Sequence, residues 1–212
     1  MKCVPFAGFA LCALLSAGAF APGAHADEYN KLTIFSVNAP IEVPGYKTPM
    51  VLPAGTYSIK LLRPASGYPN IVQIYNKDQT HLYSTTLALP DYRLKPTGNT
   101  VLLFSERAEG SPQAIEAWFY PGDNYGQKFV YPKSRATELA KANNEAVLSM
   151  PDEASSNISK DIKSGTEPAA MAMEKSSVKA EEPNGQEGDA SDAAVMKPPS
   201  NQMSSQDSNK KQ

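Results

Sequence analysis

Short runs of apolar and β-branched residues, separated by proline, glycine and asparagine, recur from residue 27 to residue 140. Such runs with turn residues between them are typical of strands, and no helical period of about 10–15 residues separates them. The predicted strands are 32–37, 41–43, 50–52, 56–62, 70–75, 81–87, 100–104, 114–120 and 127–131. We therefore predict an all-β fold, an antiparallel β-sandwich or barrel of about seven to nine short strands.

Turn residues and one stretch of helix formers complete this domain. Pro44 and Gly45 form a strong turn dipeptide, Pro53 and Gly55 fit the corners of a β-turn, and 76–79 reads as a hairpin loop. Residues 132–142 are rich in helix formers, which predicts one short C-terminal helix that closes or caps the domain. We expect residues 27–140 to form a β-sandwich domain.

The first 26 residues are typical of an export signal. Lys2 is followed by an uncharged, largely apolar stretch that ends at Ala24, His25 and Ala26, the small-x-small pattern that a signal peptidase accepts. The alternative is an uncleaved membrane anchor, since 22 uncharged residues are long enough to span a bilayer. We predict cleavage after Ala26, no transmembrane segment after cleavage, and a periplasmic or extracellular location.

Residues 141–212 have a different composition. Six of these 72 residues are Leu, Ile, Val or Phe, none is aromatic, and twelve acids stand against eight bases. Such a segment buries too little apolar surface to offset the backbone entropy of folding, about 1–2 kcal/mol per residue. We expect a disordered, acidic, low-complexity tail.

Charge and cysteine content exclude several classes of function. The chain carries 20 Lys and Arg against 22 Asp and Glu, so no global charge favours binding to nucleic acid. Both cysteines, Cys3 and Cys12, lie in the signal segment, and the mature chain would have no disulfide. His81 is its one histidine, so zinc and copper sites built from His and Cys are excluded. We expect no metal and no cofactor.

Catalytic residues are scarce. No Gly-x-Ser-x-Gly motif is present to serve with His81 in a nucleophilic triad. Glu106, Glu109 and Glu116 lie within eleven residues, and paired carboxylates would suit a hydrolase. The mixed charges around Glu106 and Glu109 are more typical of a solvated loop. A carboxylate-dependent hydrolase is therefore a minor alternative, and we predict no catalytic residue.

An aromatic cluster near residue 120 is the best candidate for a binding surface. In a regular strand, Ile115, Ala117 and Phe119 would share a core face, with Glu116, Trp118 and Tyr120 on the other. That second face, together with Tyr125, could stack on a sugar ring or peptide. The alternative, which we favour for Trp118, is that this residue packs in the core, as Trp often does in sandwiches.

Four stretches of this domain resemble an uncharacterised family of exported bacterial proteins found in Acidobacteria-like genomes. They are 52–57, 90–93, 117–124 and 129–133, and the Trp-Phe-Tyr-Pro-Gly-Asp-Asn string that begins at Trp118 is the most distinctive part. The resemblance covers most of residues 30–140 and neither the signal nor the tail. It implies an exported β-domain and transfers no activity and no site residues.

These observations predict an exported, non-enzymatic binding or envelope-associated protein whose ligand the sequence leaves unknown. Its partner would be an envelope protein or a glycan. The alternative is a carbohydrate-binding module with an aromatic platform around Trp118 and Tyr120, to which Tyr125 and Glu116 would contribute.

Overall fold

The computed structural model describes residues 30–45, 50–62, 70–105, 107–108, 110–152 and 177–194. The predicted signal segment 1–26, Glu106 and Glu109 lie outside the described residues, as do 153–176 and 195–212 of the predicted tail. The elements are β1 (Thr33–Val37), β2 (Ile41–Val43), β3 (Met50–Leu52), β4 (Gly55–Leu61), β5 (Asn70–Asn76), β6 (Leu82–Tyr92), β7 (Val101–Ser105), β8 (Gln113–Phe119), β9 (Tyr125–Phe129), β10 (Tyr131–Pro132), α1 (Lys133–Asn143), β11 (Val147–Met150), β12 (Lys179–Glu181), β13 (Glu187–Gly188) and a short 3-10 helix (Ala190–Asp192).

The described chain is mostly β, with one α-helix, as the sequence predicts. Nine strands form one sheet in the order β1-β4-β5-β6-β9-β8-β2-β3, with β7 paired to β8 beside this path. All pairs are antiparallel except β2 with β8. The two ends of the path, β1 and β3, do not pair with each other among the described residues, so the sheet is open there.

The first four strands form two halves of one bent ribbon. β1 pairs with β4 and β2 pairs with β3, while only 38–40 separate β1 from β2 and only 53–54 separate β3 from β4. Pro40 and Pro53 lie in these two gaps, and neither can donate a backbone hydrogen bond to a ladder. The β1–β2 segment and the β3–β4 segment therefore both bend at these prolines. The bend brings β2, with β3 paired to it, to the edge of β8.

The side chains on the inner face of this curved sheet form the main core. Ile59 and Ile74, from β4 and β5, are fully buried in one cluster with Ile115 and Val43, which come from β8 and β2 near the other end of the sheet. Ser84 in β6 donates a hydrogen bond of 2.5 Å to the Pro44 carbonyl oxygen, so the end of β2 lies against β6. The sheet therefore wraps around one apolar interior.

A buried carboxylate connects β2 to the helix. Glu42 has a side-chain exposure of 2% and accepts hydrogen bonds from Arg135 through both oxygens, at 2.7 Å each. Arg107 donates to the same carboxylate at 2.8 Å. These contacts hold α1 and the loop before β8 against β2. Burial, together with the nearby Glu42 carboxylate, raises the pKa of the Tyr131 phenol well above its ordinary value.

The expectation of a disordered tail from residue 141 is wrong for part of that segment. β11 pairs in parallel with β10, and β12 and β13 extend this second sheet antiparallel. Glu181 in β12 is buried and accepts hydrogen bonds from Ser149 at 2.9 Å and Thr137 at 3.2 Å. Residues 177–194 are therefore attached to both β11 and α1.

A second apolar cluster explains why this segment folds. It is formed by Ile71, Leu87, Leu89, Val130, Leu148, Met150, Ala190 and Ala194. Val178 and Ala193 pack against it from the C-terminal segment. The composition of 141–212 averages over the whole segment and hides these few apolar positions, which complete a surface that the main sheet already provides.

Candidate functional site

A β-bulge in β8 determines where the predicted site residues point. Leu103 of β7 pairs with Ala117 and the next residue, Phe104, pairs with Ile115, so Glu116 is an extra residue without a partner in this ladder. A bulge shifts the alternation of side chains beyond it. Trp118 consequently joins Ile115 in the core, and Phe119 lies on the other face. The predicted shared face of Ile115, Ala117 and Phe119 is therefore wrong.

Trp118 is buried in the core and does not form an exposed platform. Its exposed fraction is 1%, in agreement with the core alternative. Its indole N–H has no hydrogen-bond partner among the described residues. A buried donor left without a partner costs about 1–3 kcal/mol, so this N–H calls for an explanation.

A cleft opens beside this indole. We call it the Trp118 cleft; its walls are Lys31, Leu61, Trp118, Tyr120, Asp123, Tyr125 and Gln127. Its cavity volume is about 30 Å³, or about 240 Å³ when the open mouth is included. Trp118, Tyr120 and Tyr125, three of the four predicted binding residues, therefore line one concave site.

Strand β9 contributes the second wall through its alternation. Gln127 pairs with Trp118, so Tyr125, Gln127 and Phe129 extend from β9 on the same face as the indole. Phe129 is in the core, and Gln127 accepts a hydrogen bond of 2.8 Å from Asn70. The Gln127 amide is thereby held in one orientation at the cleft.

Tyr125 provides the exposed aromatic surface of the site. Its exposed fraction is 39%, and its ring lies 5.3 Å from the Tyr92 ring, centroid to centroid. Tyr92 limits the rotation of the Tyr125 ring by contact from one side. An exposed aromatic ring held by a neighbour is suited to stack on an apolar face of a ligand.

The charges of the cleft neutralise each other. The ammonium of Lys31 lies 3.0 Å from the Asp123 carboxylate and 4.7 Å from the Tyr120 ring centroid. Arg93 donates to the Asp123 carbonyl oxygen at 3.2 and 3.3 Å, and Gly122 has a φ of 83° in the turn before it. The turn that presents Asp123 is therefore fixed, and the site carries no net charge.

Glu116 lies in a different place from the other three predicted residues. It forms an ion pair with Lys128, and both side chains line a second cleft beside α1. Glu106 and Glu109, the other two predicted carboxylates, lie outside the described residues.

Sequence reasoning missed Lys31, Asp123 and Gln127 as members of the site. Lys31 is 87 residues from Trp118, and only the pairing of β1, β4 and β5 brings it there. Gln127 could have been found from β9 alone, because it alternates with Phe129.

The described part of the chain contains no group of three or more His, Cys, Asp or Glu side chains that could hold a metal ion. No helix within the described ranges is long and apolar enough to cross a bilayer.

Comparison with known proteins gives no relative. No family model, no curated protein and no solved structure matches this chain.

Proposed function

We propose that this chain is an exported, non-enzymatic binding protein of the bacterial envelope, built on a β-sandwich or barrel, with the Trp118 cleft as its ligand site. The Ala24-His25-Ala26 pattern and the resemblance to exported β-domains support export. The observation that carries the binding role is that Trp118, whose buried indole N–H has no partner among the described residues, forms a wall of one cleft together with two tyrosines. Apolar and aromatic walls with a few fixed polar groups are typical of ligand sites.

The cleft favours a neutral, hydroxyl-rich ligand such as a sugar residue. Because Lys31 and Asp123 neutralise each other, no net charge is left for an ionic ligand. A sugar hydroxyl can accept the Trp118 N–H, and a C–H face can lie on the Tyr125 ring. The stacking surface would be the exposed Tyr125 ring and not Trp118, which is buried and would act as a hydrogen-bond donor.

Binding of neutral saccharides to the mature chain tests this proposal. A panel of neutral disaccharides and tetrasaccharides, measured by calorimetry, should include ligands that bind, and Tyr125→Ala should weaken them by about tenfold or more because the stacking surface is lost. Tyr75→Ala is the matched control, since Tyr75 lies at the far end of β5 from Asn70. Absence of binding by any saccharide, or equal loss in both variants, would contradict the proposal.

Export has its own test. The intact mass of the protein recovered from the periplasm or medium should correspond to a chain that begins at Asp27. A mass that retains residues 1–26 would contradict the proposed export.

A further inference from the structure

The second cleft lies between the end of α1, strand β11 and the strands β8 and β9. It has a cavity volume of about 20 Å³, or about 340 Å³ when its open mouth is included. Its apolar walls are Ile115, Phe129, Leu139, Val147 and Leu148. It shares no lining residue with the Trp118 cleft. The second cleft is therefore formed by residues that the proposed function does not use.

Asn143 gives this cleft a polar group that the fold does not use. The side-chain oxygen and nitrogen of Asn143 are both buried, and neither has a hydrogen-bond partner among the described residues. A buried amide normally uses both its donors and its acceptor, and one that does not calls for an explanation such as a bound molecule. Asn143 therefore presents an unused acceptor and unused donors side by side in the cleft.

Lys128 and Glu116 form a pair of opposite charges in the same cleft, which the exposed Glu145 also lines. Lys128 and Glu116 contact each other, with side-chain exposures of 15% and 25%. In this contact Lys128 Nζ donates to Glu116 Oε1. The other ammonium hydrogens of Lys128 and the second carboxylate oxygen of Glu116 can bind a ligand. Because Glu116 is the bulge residue of β8, it has no partner in β7, and its carboxylate lies beside Lys128 of β9.

These groups are complementary to a dipolar ion. A ligand carboxylate would be bound by Lys128 and the Asn143 amide nitrogen, and a ligand ammonium by Glu116 and the Asn143 amide oxygen. Charge-assisted hydrogen bonds of this kind are the strong ones in partly enclosed sites. The enclosed part of the cleft is small, so the charged groups of the ligand would lie where the cleft opens, and its side chain would extend along the apolar walls.

We propose that the cleft formed by Asn143, Lys128 and Glu116 is a second binding site, for the zwitterionic backbone of a free α-amino acid. Neither a simple amine nor a simple carboxylate uses both halves of this arrangement. The competing explanation is that ordered water alone fills the cleft and satisfies Asn143, since a cavity of this size holds a water molecule.

Calorimetry with L-alanine, its methyl ester and its N-acetyl derivative tests the proposal. L-alanine should bind, while the ester, which has no carboxylate, and the N-acetyl form, which has no ammonium, should each bind at least about tenfold more weakly. No binding of L-alanine up to about 10 mM, or equal binding of all three, would overturn the proposal.

Two variants and a control assign the binding to this cleft. Lys128→Met and Asn143→Leu should each weaken L-alanine binding by about tenfold or more, because each removes a partner of the carboxylate. Lys141→Met, on the same helix two residues before Asn143, should leave it unchanged. Because Lys128→Met leaves Glu116 unpaired and could affect folding, Asn143→Leu is the decisive variant. An Asn143→Leu protein that is more stable and binds L-alanine as before would show that the amide faces water only.

Discussion

Single residues decide how β8 and β9 pack, and Gly126 is the clearest case. A Cβ on Gly126 would lie 2.6 Å from the Phe119 ring, much closer than atoms in real structures approach. The bulge at Glu116 creates this contact, because it turns Phe119 away from the core and onto Gly126. No sequence pattern shows this, since the strand alternation of β8 predicts the opposite face for Phe119.

Gly126→Ala is expected to destabilise the protein by about 1–3 kcal/mol, the usual cost of overpacking a tight contact. Urea denaturation of Gly126→Ala measures this loss. Gly98→Ala is the matched control, since nothing lies within 4 Å of a Cβ at that position. A cost as small for Gly126→Ala as for Gly98→Ala would show that the two strands are not packed in this way.

Glu42 is the second single residue whose substitution should strongly change the free energy of unfolding. Glu42→Gln removes the charge that faces Arg107 and Arg135, and breaking a buried ion pair typically costs about 3–5 kcal/mol. Glu138→Gln is its control, because Glu138 contacts Arg135 from a side chain that is 66% exposed, and exposed pairs contribute little. Chemical denaturation of both variants should give a large loss for the first and a loss below about 1 kcal/mol for the second. Equal small losses would contradict the buried network.

At the scale of elements, the sequence predicts the main sheet well and the second sheet not at all. The bounds of β2 and β3 match the predicted runs, and α1 begins one residue later than predicted. These elements carry local signals: apolar runs, prolines and helix formers. By contrast, β12 and β13 have three and two residues and exist only because β11 offers an edge to pair with. A pairing partner distant in sequence leaves no local pattern.

The hairpin of β12 and β13 is also held to α1 by an ion pair between Glu187 and Lys133, so its contribution to stability depends on pH. The hydrogen bond from Lys133 lowers the pKa of Glu187 below its ordinary value. A lowered carboxyl pKa contributes stability above the unfolded pKa of about 4.3, and that stability is lost as the pH falls through the folded pKa.

Glu187→Gln is therefore expected to lower the melting temperature slightly at pH 7. The effect is small because both side chains of the pair are nearly half exposed. The melting temperatures of the variant and the parent should converge as the pH falls through the lowered folded pKa of Glu187, because the carboxyl is then protonated in both states. A difference that does not shrink as the pH falls would show that Glu187 acts through packing rather than charge.

At the scale of the whole molecule, residues 177–194 help to cover the apolar outer face of β5 and β6. Ile71 and Leu87 lie in the cluster that Ala190 and Ala194 complete. The chain thus folds as a main sheet whose second face is covered by residues that composition alone assigns to a tail. By contrast, three residues of the Trp118 cleft could be predicted from the sequence, because Trp118, Tyr120 and Tyr125 are close together in the chain.

Removal of residues 177–212 is expected to lower the melting temperature by about 5 °C or more. The deletion uncovers Leu148 and Met150, and each buried side chain of this kind contributes about 1.5–3 kcal/mol. Removal of 195–212 alone is the control, because it keeps every described contact of the segment. An unchanged melting temperature after the longer deletion would show that the second sheet does not stabilise the fold.

The indole N–H of Trp118 gives the most direct test of the proposed binding role. Trp118 is the one tryptophan in the chain, so the side-chain N–H region of a proton–nitrogen correlation spectrum contains a single indole signal. Titration with a saccharide that binds should move this signal downfield in proportion to occupancy, because the ligand oxygen accepts its proton. An indole signal that stays in place while the saccharide saturates the protein would contradict the Trp118 cleft as the site.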